Sequence, residues 1–140
     1  MSNLTLVKTI FLKAPPEHVW RFLTEADQLA TWFHKGGADL VEGGDYQLLT
    51  NSYGKDGDKL CWGKVIEMKK PHRLVHTFTH DHLAGLETTC TWTLERADGG
   101  TVLTLTHEGF DKVKENPFNM AADHDKGWDQ HFVRLRQVAA

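Results

Sequence analysis

The chain opens with a stretch in which apolar and polar residues alternate, and this pattern predicts a first β-strand over residues 4–14. Pro15 and Pro16 end that strand, and proline suits the first turn of a helix. Apolar residues then recur three and four positions apart. This spacing predicts two short helices, over residues 16–23 and 27–33.

From residue 38 onward the pattern changes to short apolar and alternating segments, separated by turns that contain Gly, Asp or Pro. These segments predict six strands, over residues 38–42, 45–52, 59–70, 72–80, 86–97 and 101–109. Because the turns are short, strands that are neighbours in sequence should pair antiparallel. After a loop that begins at Phe110, a final helix is predicted over about residues 119–137.

The predicted fold is of the α+β class, with the element order β-α-α-β6-α in a single domain over residues 1–140. An antiparallel sheet of about seven strands has one face to bury. A helix of about 19 residues is about 28 Å long and can cover that face. A curved sheet wrapped around such a helix leaves space that side chains do not fill, so we expect an internal cavity.

Strand alternation and helical spacing identify the side chains that face this interior. They are Leu74, His76, Phe78 and His80 of the fifth strand, Cys90, Trp92 and Leu94 of the sixth, Leu103, Leu105 and His107 of the seventh, and Trp128, Phe132, Leu135 and Val138 or Ala139 of the last helix. This arrangement brings Trp128 close to His107, His76 and Trp92. We therefore expect Trp92 and Trp128 to be buried.

The composition narrows the class of partner. The formal net charge is −3 and no run of lysine and arginine occurs, which argues against nucleic acid or an anionic membrane. No apolar stretch reaches the length of about 18 residues that a membrane span needs. The first residues lack the pattern of a signal peptide, so we expect a cytoplasmic protein.

Cys61 and Cys90 fall in strands that should lie too far apart for a disulfide, and we expect both to be reduced.

Four stretches of the sequence resemble a known family: APPEHVWRFLTEADQLATWF, GKVIEMKKPHRLVHTF, TWTLERADGGTVLTLTHEGF and GWDQHFVRL. Together with the order of elements, they are similar to the START/SRPBCC helix-grip superfamily. Within it they resemble the bacterial branch related to the C-terminal domain of the activator of the 90-kDa heat-shock protein ATPase. The resemblance implies a seven-stranded sheet around a C-terminal helix, with a hydrophobic cavity. Members include ligand carriers, receptors, enzymes and co-chaperones, so the fold alone leaves the function open.

Our first hypothesis is a non-catalytic protein that binds a small hydrophobic or aromatic molecule between the sheet and the last helix. We expect no cofactor and no metal, and either a monomer or a homodimer. The residues expected to line the cavity are Trp32, Phe33, Trp62, His76, Phe78, Trp92, Leu105, His107, Trp128 and Phe132.

Three alternatives remain at this point. His107 or His76 could serve as the general base of a cofactor-free cyclase or hydrolase, although a core histidine bonded to a backbone group or a tryptophan N–H explains His107 as well. His76, His80 and His82 share one alternation and could bind Zn²⁺ or Ni²⁺. The chain could also be a stress-related co-chaperone or interaction module that acts on a chaperone.

Gly127 is unusual because it interrupts the final helix directly before Trp128. Glycine inside a helix costs about 1 kcal/mol relative to alanine. We expect another element to pack closely against the helix there, either the end of the second helix with its Gly36–Gly37 turn or the loop around Phe110. A tolerated defect at an open site is the alternative.

Overall fold

The computed structural model describes residues 4–49, 59–80, 83 and 85–139. Its strands are β1 (Leu6–Leu12), β2 (Lys35–Gly36), β3 (Asp45–Leu49), β4 (Lys59–Lys69), β5 (Arg73–His80), β6 (Thr88–Ala97) and β7 (Gly100–Glu108). Its helices are α1 (Pro16–Thr24), α2 (Ala26–Trp32) and α3 (Pro117–Ala139), and a 3₁₀ turn at Phe110–Lys112 precedes α3.

The strands form one curled antiparallel sheet in the order β1-β7-β6-β5-β4-β3-β2. Among the described strands, β1 and β7 are the one pair that is distant in sequence, with Leu6 opposite His107 and Leu12 opposite Thr101. The sheet and α3 together form an α+β helix-grip fold, which confirms the predicted fold class. In the described part of the chain, no helix combines the length and the apolar character needed to cross a membrane.

The second strand differs from the prediction. It lies at Lys35–Gly36, and residues 38–42 form no strand. The reason is that this segment forms hydrogen bonds with the residues that connect α1 and α2. The Asp39 carboxylate accepts a hydrogen bond from the Ala26 N–H, and the Leu40 N–H donates to the Thr24 carbonyl. The predicted loop over residues 53–58 lies outside the described residues.

The final helix is longer than predicted at both ends. It begins at Pro117, since proline is favoured at the first helical position. Its buried residues are Ala121, Trp128, Phe132, Leu135 and Ala139. The predicted apolar stripe is therefore confirmed, with Ala139 rather than Val138 at its end.

The residues predicted on the inward faces of β5, β6 and β7 are buried except His80, which is partly exposed at the end of β5. Trp92 and Trp128 are both 3% exposed, as expected. Cys61 on β4 and Cys90 on β6 are buried and free, with β5 between their strands. The core thus lies between the inner face of the sheet and the apolar stripe of α3.

The close packing expected at Gly127 is wrong. Apart from its chain neighbours and the backbone of its own helix, a Cβ built on Gly127 meets no described atom within 4 Å, so the site is open. The Gly36 backbone approaches a different helix, since its Cβ would lie 3.0 Å from the Ala26 Cα at the start of α2. Phe110 packs against His107 and His124. Gly127 is therefore a tolerated defect.

Candidate ligand-binding site

Five large aromatic side chains pack together where α2, α3 and the inner face of the sheet meet; we call this group the aromatic core. It consists of Trp32, Phe33, Trp92, Trp128 and Phe132. The ring centroids of Phe33 and Trp128 are 5.1 Å apart, and those of Trp92 and Trp128 are 5.4 Å apart. Trp32 lies 6.2 Å from both Trp92 and Phe132. These separations are favourable for aromatic pairs, so the rings form one continuous surface.

A small cavity borders the aromatic core, between the two short helices and strands β3, β5 and β6. Its lining consists of Leu23, Leu29, Trp32, Phe33, Leu40, Tyr46, Leu48, His76 and Trp92. The cavity volume is about 20 Å³. Because a water molecule needs roughly 10–15 Å³, this space holds little more than one water. A larger ligand therefore has to displace a side chain.

A hydrogen-bonded chain of Trp92, His76 and Tyr46 forms the polar wall of the cavity. The Trp92 Nε1–H donates to His76 Nε2 at 2.9 Å. An indole N–H only donates, which assigns the ring proton of neutral His76 to Nδ1. That nitrogen lies 2.8 Å from the Thr77 carbonyl oxygen and 3.0 Å from Tyr46 Oη. The Tyr46 hydroxyl donates to the same carbonyl at 2.5 Å.

A glycine opposite Tyr46 makes room for this arrangement. Gly63 on β4 pairs with Tyr46 on β3, and a Cβ on Gly63 would lie 2.3 Å from the Thr77 carbonyl oxygen. The Thr77 carbonyl can therefore approach the Gly63 backbone only because glycine has no Cβ. The result is a carbonyl placed within reach of both Tyr46 and His76.

A second tryptophan–histidine pair lies deeper, at what we call the inner end of the core. The Trp128 Nε1–H donates to His107 Nδ1 at 3.0 Å, which assigns the proton of neutral His107 to Nε2. That N–H faces Thr88 Oγ1 at 2.7 Å, and the Thr88 hydroxyl donates to the Phe78 carbonyl at 2.8 Å. Every donor in this buried series thus meets an acceptor.

Both core histidines are held in the neutral form. Burial lowers the pKa of His76 to about 4, and it lowers the pKa of His107 well below its usual value. Each ring nitrogen already has a protein partner. In this arrangement neither histidine presents a free nitrogen lone pair to a substrate, so the geometry does not favour the general-base alternative.

A basic cluster lies on the outer side of Phe33, and we call it the mouth cluster: His34, His131 and Arg134. The centroid of the Phe33 ring is 4.4 Å from that of His34 and 4.7 Å from that of His131. Arg134 Nε donates to the Trp32 carbonyl oxygen at 3.0 Å, at the C-terminal end of α2. Arg134 Nη2 lies 2.5 Å from His131 Nδ1.

Arg134 supplies the positive charge of the mouth cluster. Burial, followed by the Arg134 charge, lowers the pKa of His34 to about 4. Burial, followed by His34 and Arg134, lowers the pKa of His131 to about 4. None of the ion pairs found among the described residues involves Arg134. Arg134 is therefore the cation of a cluster whose two imidazoles are neutral near pH 7.

The histidines considered as metal ligands do not converge. His76 is bonded to Trp92, whereas His80 Nε2 lies 2.8 Å from Nε2 of His124 on α3. His82 lies outside the described residues. Within the described ranges, no group of three His, Cys, Asp or Glu side chains is arranged to hold a metal ion.

The structure separates the predicted lining residues into four groups. Trp32, Phe33, His76 and Trp92 line the cavity, and Trp128 and Phe132 pack behind them. Phe78, Leu105 and His107 are buried in the core but do not line the cavity. Trp62 lies in a separate open groove with Gln47 and Lys64.

Sequence reasoning missed Tyr46 and the mouth cluster. The alternation in residues 45–49 already places Tyr46 and Leu48 on one face, so it contained a usable signal for Tyr46. Arg134 lies outside the apolar stripe of the last helix and is exposed. No spacing in the sequence relates Arg134 to His34, which lies just after α2 and far from Arg134 along the chain.

Solved structures share this architecture. The protein CV1439 from Chromobacterium violaceum is 26% identical, with a TM-score of 0.76 and coverage of 96% of each chain. MLL2253 from Mesorhizobium loti is 24% identical, with a TM-score of 0.80 and coverage of 95% of this chain and 94% of that chain. The Aha1 dimer from Colwellia psychrerythraea is 18% identical, with a TM-score of 0.74 and coverage of 96% and 95%.

A comparison with curated protein sequences found no match. The family model described as Activator of Hsp90 ATPase homolog 1-like protein matches residues 13–140, nearly the whole chain. This match agrees with the helix-grip fold and with the resemblance seen in the sequence. The chain therefore belongs to the Activator of Hsp90 ATPase homolog 1-like family.

Proposed function

We propose that this protein is a non-catalytic cytoplasmic binding protein for a small hydrophobic or aromatic molecule. The observation that carries the proposal is the cavity beside the aromatic core, with apolar walls and one polar side formed by Tyr46 and His76. Small-molecule sites typically combine a mostly apolar lining with a few placed polar groups. Several aromatic rings here offer stacking surfaces to a flat ligand.

Phe33 is the side chain that a ligand would displace. It follows the last residue of α2, its backbone has left the helical conformation (φ −116°, ψ −97°), and it is only partly buried. Its ring stacks on Trp32 and Trp128. A flat ligand that took the place of this ring would stack on the same two tryptophans. The buried members of the aromatic core would stay in position.

The proposal is tested with 1-naphthamide, a neutral aromatic probe, by isothermal titration calorimetry. We expect the wild-type protein to bind it and to melt at a higher temperature in its presence, because a ligand of the folded state stabilises that state. Phe33→Ala should bind it about 10-fold more tightly or better, since displacing the Phe33 ring then costs nothing.

Phe118→Ala is the matched control, because Phe118 lies on α3 and is 70% exposed. It should bind the probe as the wild-type protein does. Absence of binding to both the wild-type protein and Phe33→Ala would refute the proposal. Equal affinities of Phe33→Ala and the wild-type protein would refute the role of Phe33.

A second candidate is an interaction module that acts on a chaperone, and the family membership favours it. The test is the ATPase rate of a purified Hsp90-class chaperone with and without this protein. A reproducible increase that survives in Phe33→Ala would assign the interaction to the outer surface. An unchanged rate, together with no co-elution of the two proteins, would exclude this candidate.

A further inference from the structure

We infer that the ligand is a small aromatic carboxylic acid: the mouth cluster binds its carboxylate while its ring enters the aromatic core. This inference rests on the function proposed above and adds the chemical class of the ligand. It is carried by the position of His34, His131 and Arg134 directly outside the ring that closes the cavity.

The cavity and the mouth cluster are adjacent because two residues that line the cavity also contact members of the cluster. Phe33 lines the cavity on one side and contacts His34 and His131 on the other. Trp32 also lines the cavity, and its carbonyl oxygen holds Arg134 Nε at 3.0 Å. A ring in the place of Phe33 would therefore lie against His34 and His131, directly after the residue whose carbonyl binds Arg134.

Arg134 has donors to spare. A guanidinium carries five N–H donors, and the contacts to Trp32 and His131 use two of its nitrogens, Nε and Nη2. These two contacts also fix the plane of the group. A planar, oriented guanidinium suits a carboxylate, which it can bind through two parallel hydrogen bonds.

The charge of the mouth cluster favours an anion over a neutral group. In the described part of the chain, no Asp or Glu forms an ion pair with Arg134. The two imidazoles are partly buried and lie next to this cation, and the centroids of their rings are 5.0 Å apart. An anion bound here would offset the Arg134 charge and could accept hydrogen bonds from the imidazoles as well.

The ring of the ligand is expected to be flat and aromatic rather than a long alkyl chain. The position it would occupy has two stacking neighbours, Trp32 and Trp128, whose centroids are 5.2 Å and 5.1 Å from that of Phe33. These separations suit an aromatic ring. The 20 Å³ cavity next to it offers little room for a long tail.

The test compares 1-naphthoate with 1-naphthamide, which have the same ring system and similar shape but differ in charge. Calorimetric titrations at pH 7 use the wild-type protein, Arg134→Gln and Arg136→Gln. Arg136 is an exposed arginine two residues further along α3, so its variant makes the same change in net charge on another face of the helix. Arg134→Lys keeps the positive charge but lacks the planar guanidinium, which can donate two parallel hydrogen bonds to a carboxylate.

We expect the wild-type protein to bind 1-naphthoate about 10-fold more tightly than 1-naphthamide or better, as for a charge-assisted pair. Arg134→Gln should lose this preference and still bind 1-naphthamide, which shows that the variant is folded. Arg134→Lys should retain part of the preference, and Arg136→Gln all of it.

Equal wild-type affinities for the acid and the amide would overturn the inference and leave the proposed function standing. If Arg134→Gln and Arg136→Gln lose the preference for 1-naphthoate to the same extent, the inference is also overturned, because the preference would then reflect net charge alone. If neither probe binds to the wild-type protein or to Phe33→Ala, the proposed function fails and the inference fails with it.

Discussion

Histidines lie against aromatic rings both at the inner end of the core and at its mouth, but their hydrogen-bond partners and charged neighbours differ. At the inner end, His107 joins Trp128 to Thr88 in a buried series in which each donor has an acceptor. At the mouth, His34 and His131 lie near Arg134, which forms no ion pair in the described part of the chain. The difference shows two environments for histidine: His107 completes a buried hydrogen-bond series, whereas His34 and His131 lie partly exposed beside a cation.

The largest expected effect concerns the inner end. Trp128→Ala should lower the free energy of unfolding by roughly 3–5 kcal/mol, because it removes a buried ring and leaves His107 Nδ1 without its donor. Urea denaturation measures this loss. Val133→Ala is the control, since Val133 lies on the same helix and is 58% exposed. A loss below about 1 kcal/mol for Trp128→Ala would mean that the inner end is not a packed core.

A dependence of stability on pH is expected next in size. The pKa of His76 is about 4 in the folded protein, whereas an unfolded histidine titrates near 6.5, so below that pH the unfolded chain binds more protons and stability falls. For His76 the loss amounts to about 2 kcal/mol at pH 5. The lowered pKa values of His107, His34 and His131 act in the same direction.

Urea denaturation between pH 7.5 and pH 5 tests this dependence and the contrast between the two regions. His107→Gln and His34→Gln should each flatten the slope of the unfolding free energy against pH. At pH 7.5, however, His107→Gln should be clearly destabilised and His34→Gln nearly unchanged, because His107 completes a buried hydrogen-bond series. A wild-type stability that does not change over this range would contradict the neutral, buried histidines.

A smaller loss is expected for Thr88→Val, which keeps the shape of the side chain but removes its hydroxyl. The variant leaves the His107 Nε2–H and the Phe78 carbonyl without this partner, at a cost of roughly 1–3 kcal/mol. Thr91→Val is the matched control on the outward face of β6, where we expect a change within about 0.5 kcal/mol. Similar effects of the two variants in urea denaturation would show that the buried series contributes no stability.

The smallest effect has the opposite sign and concerns Gly127, the residue on α3 directly before Trp128. Gly127→Ala should stabilise the protein by roughly 0.4–1 kcal/mol, because the added methyl group meets open space and restricts the unfolded chain. Gly63→Ala should instead be destabilised, since its Cβ would lie 2.3 Å from the Thr77 carbonyl oxygen. Thermal melts of the two variants should therefore shift in opposite directions.

Much of the fold could be predicted because hydrophobic period is a local property of the chain. Alternation placed Trp92 and His107 on inward faces, and helical spacing placed Trp128 opposite them, so the contact between Trp128 and His107 followed. The strand predicted at residues 38–42 does not form, because this segment makes hydrogen bonds with Ala26 and Thr24 instead. Those partners belong to other elements, and no local pattern reveals them.

The candidate site was predictable only in part. Trp32, Phe33, His76 and Trp92 were expected at the cavity and lie there. The mouth cluster was missed because its members come from the end of α2 and from one turn of α3, about 100 positions apart in the chain.

The sequence by itself determined the order of the elements, the faces they bury and the family, since these depend on side-chain period and on stretches that are read along the chain. The tertiary structure alone decided three further features: the volume of the cavity, the tautomers of His76 and His107, and the open space at Gly127. Each of these depends on the distance between atoms of different elements. Such distances are established when helix and sheet pack against each other, and a one-dimensional pattern does not contain them.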